Sequence, residues 1–347
     1  MKVLIATSST PLVDGGATLI VDWLREMITM DGHEAEVLSI PFSSQYSEIL
    51  EQMTAMRLLD VSAAADRLIA IRFPSYLLQH PNKVVWFIHH HRSAYDLWGT
   101  SYQDIPNTPE GVCIRNSIHR ADDLGLREAK GCFCNSQVMA ARLRKFNDIE
   151  AEVLYPPLLH PEAYFSREFG DYFLYISRLT HHKRQWLAIE ALRYTRNPVK
   201  LVIVGRPDPD SASYLAELQS LVERHKLIDR VSIIADWVSE KEKIELLAGS
   251  LGAIYLPFDE DSYGYPTLEA HCAGKPVLST TDSGGTRELV IEAVTGFLPP
   301  PDAQAIAVAM DRLYQDRTLA CSLGANGRMQ VARLGITRER VLERLLG

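Results

Sequence analysis

Two carboxylates, Asp261 and Glu269, stand eight positions apart in PFDEDSYGYPTLEAHCAGKPVLSTTDSGGTRELV, the thirty-four residues Pro257–Val290. An acidic loop, a helix start, a Gly-Lys-Pro stop and a Gly-Gly turn follow one another there. Pro266 suits the first position of a helix, where its missing N–H has no partner to lose. Glu269 is then expected in the first turn, near unsatisfied N–H groups and the positive end of the helix dipole. Such a helix start can hold a diphosphate, and an acid beside it can accept from ribose or sugar hydroxyls. Taken alone, the two acids could equally be surface groups favoured by the dipole.

Two cations, Arg178 and Lys183, follow the apolar run Tyr172–Ser177, just before the helical pattern Arg184–Tyr194. At a strand's carboxyl end both would face one crevice, Arg as a bidentate fork for phosphate oxygens and Lys as a point charge. Gly15-Gly16 opens the helical pattern Ala17–Met30 and would let backbone amides approach an anion. It is neither G-x-G-x-x-G nor a phosphate-binding Lys loop, which disfavours dehydrogenase and P-loop readings. The run Val84–Ile88 enters His89-His90-His91. Consecutive strand residues face opposite sides, so the triplet is a poor metal cage and a better source of one substrate contact, His89 or His91. Asp282-Ser283-Gly284-Gly285-Thr286-Arg287-Glu288 could set main-chain N–H groups and Glu288 against a ligand, or be a plain turn.

The elements that must position these residues alternate between strand and helix. Val3–Ala6, Ala35–Ser39, Arg67–Ile71, Val84–Ile88, Gly131–Asn135 and Glu152–Tyr155 read as strands, with helical patterns such as Gln137–Phe146 between them. A second series holds Tyr172–Ser177, Lys200–Val204, Val231–Ile234, Ala253–Leu256 and Pro276–Thr280. Its helical patterns are Arg184–Tyr194, Ala212–His225, Glu240–Gly249, Pro266–Ala273 and Ala303–Tyr314, and Ala325–Leu346 follows with a break near Gly335. Two such series imply two doubly wound α/β domains of mostly parallel sheet, the division falling near Pro156-Pro157. The length of 347 residues agrees, since it exceeds what one core usually serves. Ligands of such sheets bind beyond the carboxyl ends of the strands, so a crevice between two facing domains is the expected site.

Composition narrows the partners. A net charge of −8, with 36 Lys+Arg against 44 Asp+Glu, argues against nucleic acid. Residues 112–145 depart from it with seven basic and three acidic residues, a patch able to meet an anionic membrane surface or to be a solvated helical face. The five cysteines lack metal spacing and read as reduced thiols, so no structural zinc is expected. MKVLIATSST reads as a first strand and not a signal peptide, and a cytoplasmic location follows as the expectation, with a peripheral contact at the inner membrane face allowed.

Together, D-SYGYPTL-E, the GKPV run, the GGTRE turn and R-x-x-x-x-K resemble the retaining glycosyltransferases of family 4, which have the GT-B fold. Gly-Gly-Ala at the first helix, the strand-end His, Asn135-Ser136 and Leu154-Tyr155-Pro156-Pro157 are similar too, more loosely before residue 130. The resemblance implies an acceptor-binding domain over 1–157 and a nucleotide-sugar-binding domain over 158–347, the last helix packing back towards the first. It implies transfer of a hexose-type sugar from a GDP- or UDP-linked donor to a glycan, lipid-linked or other hydroxyl acceptor, as in polysaccharide or lipopolysaccharide biosynthesis. Neither metal nor cofactor is implied. Arg178 and Lys183 would neutralise the diphosphate, Glu269 would hold the ribose, and Asp261 would meet the sugar, with Glu260 as its substitute. His89, or else His91, would contact the sugar. Val238 would flank the base, and Gly15, Gly16, Gly284, Gly285 and Glu288 would complete the donor contacts. Two alternatives share the fold: a catalytically silent sugar-nucleotide-binding subunit and a nucleotide-sugar epimerase.

Overall fold

The computed structural model describes residues 1–9, 16–100, 103–207, 212–260 and 262–347. They form two compact units, one of Met1–Leu159 with Thr337–Gly347, the other of His160–Ile336. The first division, after Leu159, follows closely on Pro156 and Pro157, which cannot continue a helix.

In the first unit the strands β1 (Lys2–Ser9), β2 (Glu34–Pro41), β3 (Arg67–Ala70), β4 (Lys83–Phe87), β5 (Gly131–Cys134) and β6 (Glu152–Val153) make one parallel sheet. Its order is β2-β1-β3-β4-β5-β6, so the winding reverses between β1 and β3. The helices are α1 (Gly16–Met30), α2 (Ile49–Leu58), α3 (Pro109–Arg127) and α4 (Gln137–Asn147). Thr108 and Ser136 cap α3 and α4 through their hydroxyls. Leu68, Val85, Phe87, Ile118 and Met139 lie in the core between sheet and helices.

In the second unit β7 (Tyr172–Ile176), β8 (Lys200–Val204), β9 (Val231–Ile234), β10 (Gly252–Ile254), β11 (Val277–Leu278) and β12 (Gly296–Phe297) are again all parallel. The order β12-β11-β10-β7-β8-β9 reverses between β7 and β10. The helices are α5 (Gln185–Leu192), α6 (Ala212–Arg224), α7 (Glu240–Ala248), α8 (Tyr265–Cys272), α9 (Ala303–Gln315) and α10 (Arg317–Arg333). Strands covered on both faces need no polar alternation, hence apolar runs such as YFLYI in β7. Ser239 and Glu242 close a reciprocal capping box at the start of α7.

The final helix, α11 (Arg338–Leu346), belongs to the first unit: Arg344 pairs with Glu152 at 2.6 Å and Arg67 donates to the Leu345 carbonyl at 2.6 Å. The expected helix over Ala325–Leu346 is therefore two elements, α10 beginning at Arg317 and α11 after Gly335, whose φ of 62° ends the first. Sequence patterning also passed over α2, α3 and β12. The strands expected over Glu152–Tyr155 and Pro276–Thr280 shrink to two residues each.

Candidate active site

The winding reversal of the second unit puts the ends of β7 and β10 side by side, and open α/β sheets leave a crevice at such a point. Lys183 arrives there from a 3-10 turn, His181–Lys183. Its ammonium donates to the Tyr255 hydroxyl at 2.9 Å and forms a short ion pair with Glu260. Tyr255, just past β10, in turn donates to Glu260 at 3.0 Å. Burial alone would raise the Glu260 carboxyl, but Lys183, His182 and Tyr255 outweigh it and hold it below the usual range. Arg178 is exposed, and its charge reaches Tyr255, opposing the rise that burial and Glu260 impose on that hydroxyl. Arg178, Lys183 and Glu260 sum to one net positive charge.

Residues that no sequence reading had singled out hold this cluster. Tyr175, in β7, donates its hydroxyl proton to the Lys183 carbonyl and accepts from the Leu256 N–H at 2.9 Å, stapling the 3-10 turn to the end of β10. Gln185 donates to the Arg178 carbonyl and to Ser177 Oγ, both at 2.8 Å. Arg184 sits at φ 54° with a buried guanidinium that binds the Leu256 carbonyl at 2.6 Å, the Pro257 carbonyl at 2.8 Å and both oxygens of Asp282. That one side chain ties the acidic loop after β10 to the turn after β11. Gly205, at φ 152°, lies where a Cβ would stand 1.9 Å from the Ser177 carbonyl oxygen, so β7 and β8 meet closely at their ends only with glycine.

Helix α8 begins at Tyr265, which places Pro266 second and Glu269 fifth. The expectation of Glu269 in the first turn is thus corrected: it lies in the second turn, buried, and Lys243 of α7 donates to its Oε1 at 2.6 Å. Gly264 precedes the helix where a Cβ would stand 2.4 Å from the Tyr255 ring, so the positive end of α8 closes on the Lys183–Tyr255–Glu260 cluster.

The Gly-Gly turn is corrected at Gly285. Gly285 donates its N–H to the Glu260 carbonyl at 2.8 Å and so has none for a ligand. Gly284, at φ 59°, is a glycine because a Cβ there would stand 2.4 Å from the Glu260 carbonyl oxygen. Both residues brace the acidic loop. Glu288 ends the same 3-10 turn, half-buried, and Gln330 donates to its carbonyl at 3.4 Å. Beyond β9, Trp237 is 62% exposed and Val238 half-buried. Gly16 is the first residue of α1, while Gly15 and Asp261 lie outside the described residues.

In the first unit, His89 follows β4, half-buried, its Nδ1 2.8 Å from the His90 carbonyl. The proton is therefore on Nδ1, and Nε2 presents a lone pair. Burial, then the Arg72 charge, pushes its pKa down to about 3, so the ring is neutral at pH 7. His90 is a core residue, bonded to Asn147 at 2.8 Å and pushed down to about 4 by burial. His91 packs on Phe73 at 5.4 Å and on Phe42 at 6.4 Å. Among the described residues no group of three or more His, Cys, Asp or Glu could hold a metal ion, and no helix is long and apolar enough to cross a membrane.

Residues 160–330 match the family described as glycosyl transferases group 1. Human alpha-1,3/1,6-mannosyltransferase ALG2 is 30% identical over 222 residues, 57% of this chain and 53% of that one. The chain spans about half the length of the curated relatives it matches. Among solved structures, sucrose-phosphate synthase from Thermosynechococcus elongatus superposes with a TM-score of 0.80 at 18% identity, covering 99% of this chain and 96% of that one. Anabaena Alr3699/HepE, solved in complex with UDP and glucose, gives a TM-score of 0.72 at 18% identity over 99% of each chain. These likenesses show the GT-B fold: two α/β units, each doubly wound.

Proposed function

We propose that the protein, whose residues 160–330 match the family described as glycosyl transferases group 1, is a retaining glycosyltransferase that moves a hexose from a GDP- or UDP-linked donor to a hydroxyl acceptor. The observation that carries this reading is the Arg178, Lys183, Tyr255 and Glu260 cluster at the winding reversal of the second unit, facing the positive end of α8. A site with fixed cations and a helix dipole stabilises charge developing on a departing diphosphate without reorganising. Arg178 and Lys183 do the work that a divalent cation would otherwise do. Glu269 accepts from the donor ribose, Asp261 meets the sugar, and Glu260 acts by holding Lys183. Val238 and its neighbour Trp237 flank the base, Gly15, Gly16 and Glu288 add donor contacts, and His89 Nε2 accepts from a sugar hydroxyl. The departing phosphate oxygen takes the acceptor proton on the face it leaves, which keeps the anomeric configuration. The acceptor is a glycan or lipid-linked hydroxyl, bound by the first unit, and mannose leads the donor candidates because ALG2 is named a mannosyltransferase.

The test incubates the protein with GDP-mannose, UDP-glucose and related donors, each with and without a panel of glycan acceptors. Thermal stabilisation by a donor, release of nucleoside diphosphate only with acceptor, and a product of retained configuration by NMR are expected. Binding without release would mark a silent subunit. Conversion of the donor with no acceptor would mark an epimerase.

A further inference from the structure

Glu269 is not isolated on α8. Its Oε1 accepts from Lys243 at 2.6 Å, and the same ammonium donates to Glu240 Oε2 at 2.7 Å. Glu240 is gripped from its other oxygen by the Tyr164 hydroxyl at 2.5 Å. The Lys243 and Glu269 side chains are 11% and 4% exposed, so both charges lie out of water. A buried charge without a counter-charge is costly and neutralises itself by shifting its pKa. Burial depresses the Lys243 ammonium, but the two glutamates more than restore it, so it stays charged at neutral pH. Among the described residues no hydrogen bond reaches Glu269 Oε2, although the carboxylate has capacity on both oxygens.

We propose that Lys243 is a positioning residue for donor recognition: it fixes Glu269 Oε1, so that Oε2 is presented to the ribose hydroxyls of a nucleoside diphosphate. The inference rests on the donor reading above and adds the residue through which Glu269 acts. Glu269 stands about 6 Å along α8 from its first residue, the spacing between a diphosphate at a helix end and its attached ribose. Without Lys243 nothing holds Oε1, the carboxylate turns away from the set direction of Oε2, and the ribose contact is lost. Tyr164 and Glu240 hold the ammonium in turn, so the whole chain of contacts sets one carboxylate oxygen. A role limited to packing α7 on α8 would have no such ligand signature.

The test is calorimetric binding of GDP, UDP and their 2′-deoxy forms to the full chain. Wild type is expected to prefer a ribonucleotide over its 2′-deoxy form. Lys243→Met should weaken that ribonucleotide about tenfold and leave the 2′-deoxy form within about twofold, because only the ribose contact is lost. In a Glu269→Gln background the same change should add no further loss of discrimination. The paired variant K243M/E269Q leaves no buried unpaired charge and serves should K243M fail to fold; it is then expected to match E269Q alone. Equal weakening of both nucleotide forms, an unchanged preference, or additive losses in the double variant would overturn the proposal while the donor reading stands. Binding of none of the four nucleotides by wild type would remove the donor reading, and this inference with it.

Discussion

The two units share parallel, doubly wound sheets, yet the carboxyl ends of their strands are built from opposite materials. In the second unit the loops and helices that follow them carry buried or half-buried ion pairs: Lys183 with Glu260, Arg184 with Asp282, and Lys243 with Glu269. In the first, the end of β4 carries histidines that burial keeps neutral, set among Phe42, Phe73, Phe87 and Tyr95. Charge density suits a diphosphate, while neutral rings with a lone pair suit a hydroxyl-bearing group. Topology alone therefore places a crevice in each unit, and the side chains decide what each crevice binds.

Removing a charge from the second unit should hurt most. Arg184→Ala leaves the half-buried Asp282 carboxylate and the Leu256 and Pro257 carbonyls without their donor and frees two loops, at a cost of about 1–3 kcal/mol. Hydrogen exchange should show residues 160–336 opening while the first unit keeps its protection; equal loosening of both would break the contrast. Next comes Lys183→Ala, expected to lower turnover about 100- to 1,000-fold, as loss of a preorganised charge does elsewhere. Near-normal transfer by that variant would remove the catalytic assignment.

Acid should act on both units through their histidines. His90 and His271, pushed down to about 4 by burial, are neutral when folded and take up protons at a pKa near 6.5 when unfolded. The folded state then binds fewer protons between about pH 4 and 6.5, so stability rises with pH there and is lost on acidification. Each contributes on the order of 3 kcal/mol by pH 4. Asp122 in the first unit opposes this, because burial pushes its carboxyl up to about 7 despite bonds from Tyr76 and Tyr95. Its contribution is greatest below about pH 4 and is lost as pH rises to about 7. Asp122→Asn is therefore expected to steepen the acid loss of the first unit only, measured by exchange at pH 7 and pH 4.5. The smallest effect should come from His89→Ala: a fall in turnover of about ten- to thirtyfold with nucleotide affinity unchanged. A loss of nucleotide affinity instead would move His89 into donor binding.

How far the chain could be read in advance depended on distance along it. R-x-x-x-x-K, the acid-x7-Glu run and the alternation of strands and helices are local patterns. Local spacing sufficed to put Arg178 and Lys183 after a strand and Glu269 in a helix, and to assign an α/β fold. Helix α3 hid because its apolar positions are interrupted by Asp122 and Asp123, whose partners Tyr76, Tyr95 and Asn147 are remote. Tyr175 and Tyr255 fall inside the apolar runs Tyr172–Ser177 and Ala253–Leu256; that a buried phenol needs a partner is a signal, but the partner's identity is not.

By itself, then, the sequence determined which residue types were available and on which strand ends and helix starts they fell, because periodicity and turn chemistry act over a few residues. Only the tertiary structure decided what those residues face. It put Lys183 on Tyr255 and Glu260, 72 and 77 positions away. It gave Glu269 to Lys243, and spent the Gly285 N–H on bracing the acidic loop. Such pairings depend on strand order and on which buried charge is nearest, and both arise only once the sheet has wound.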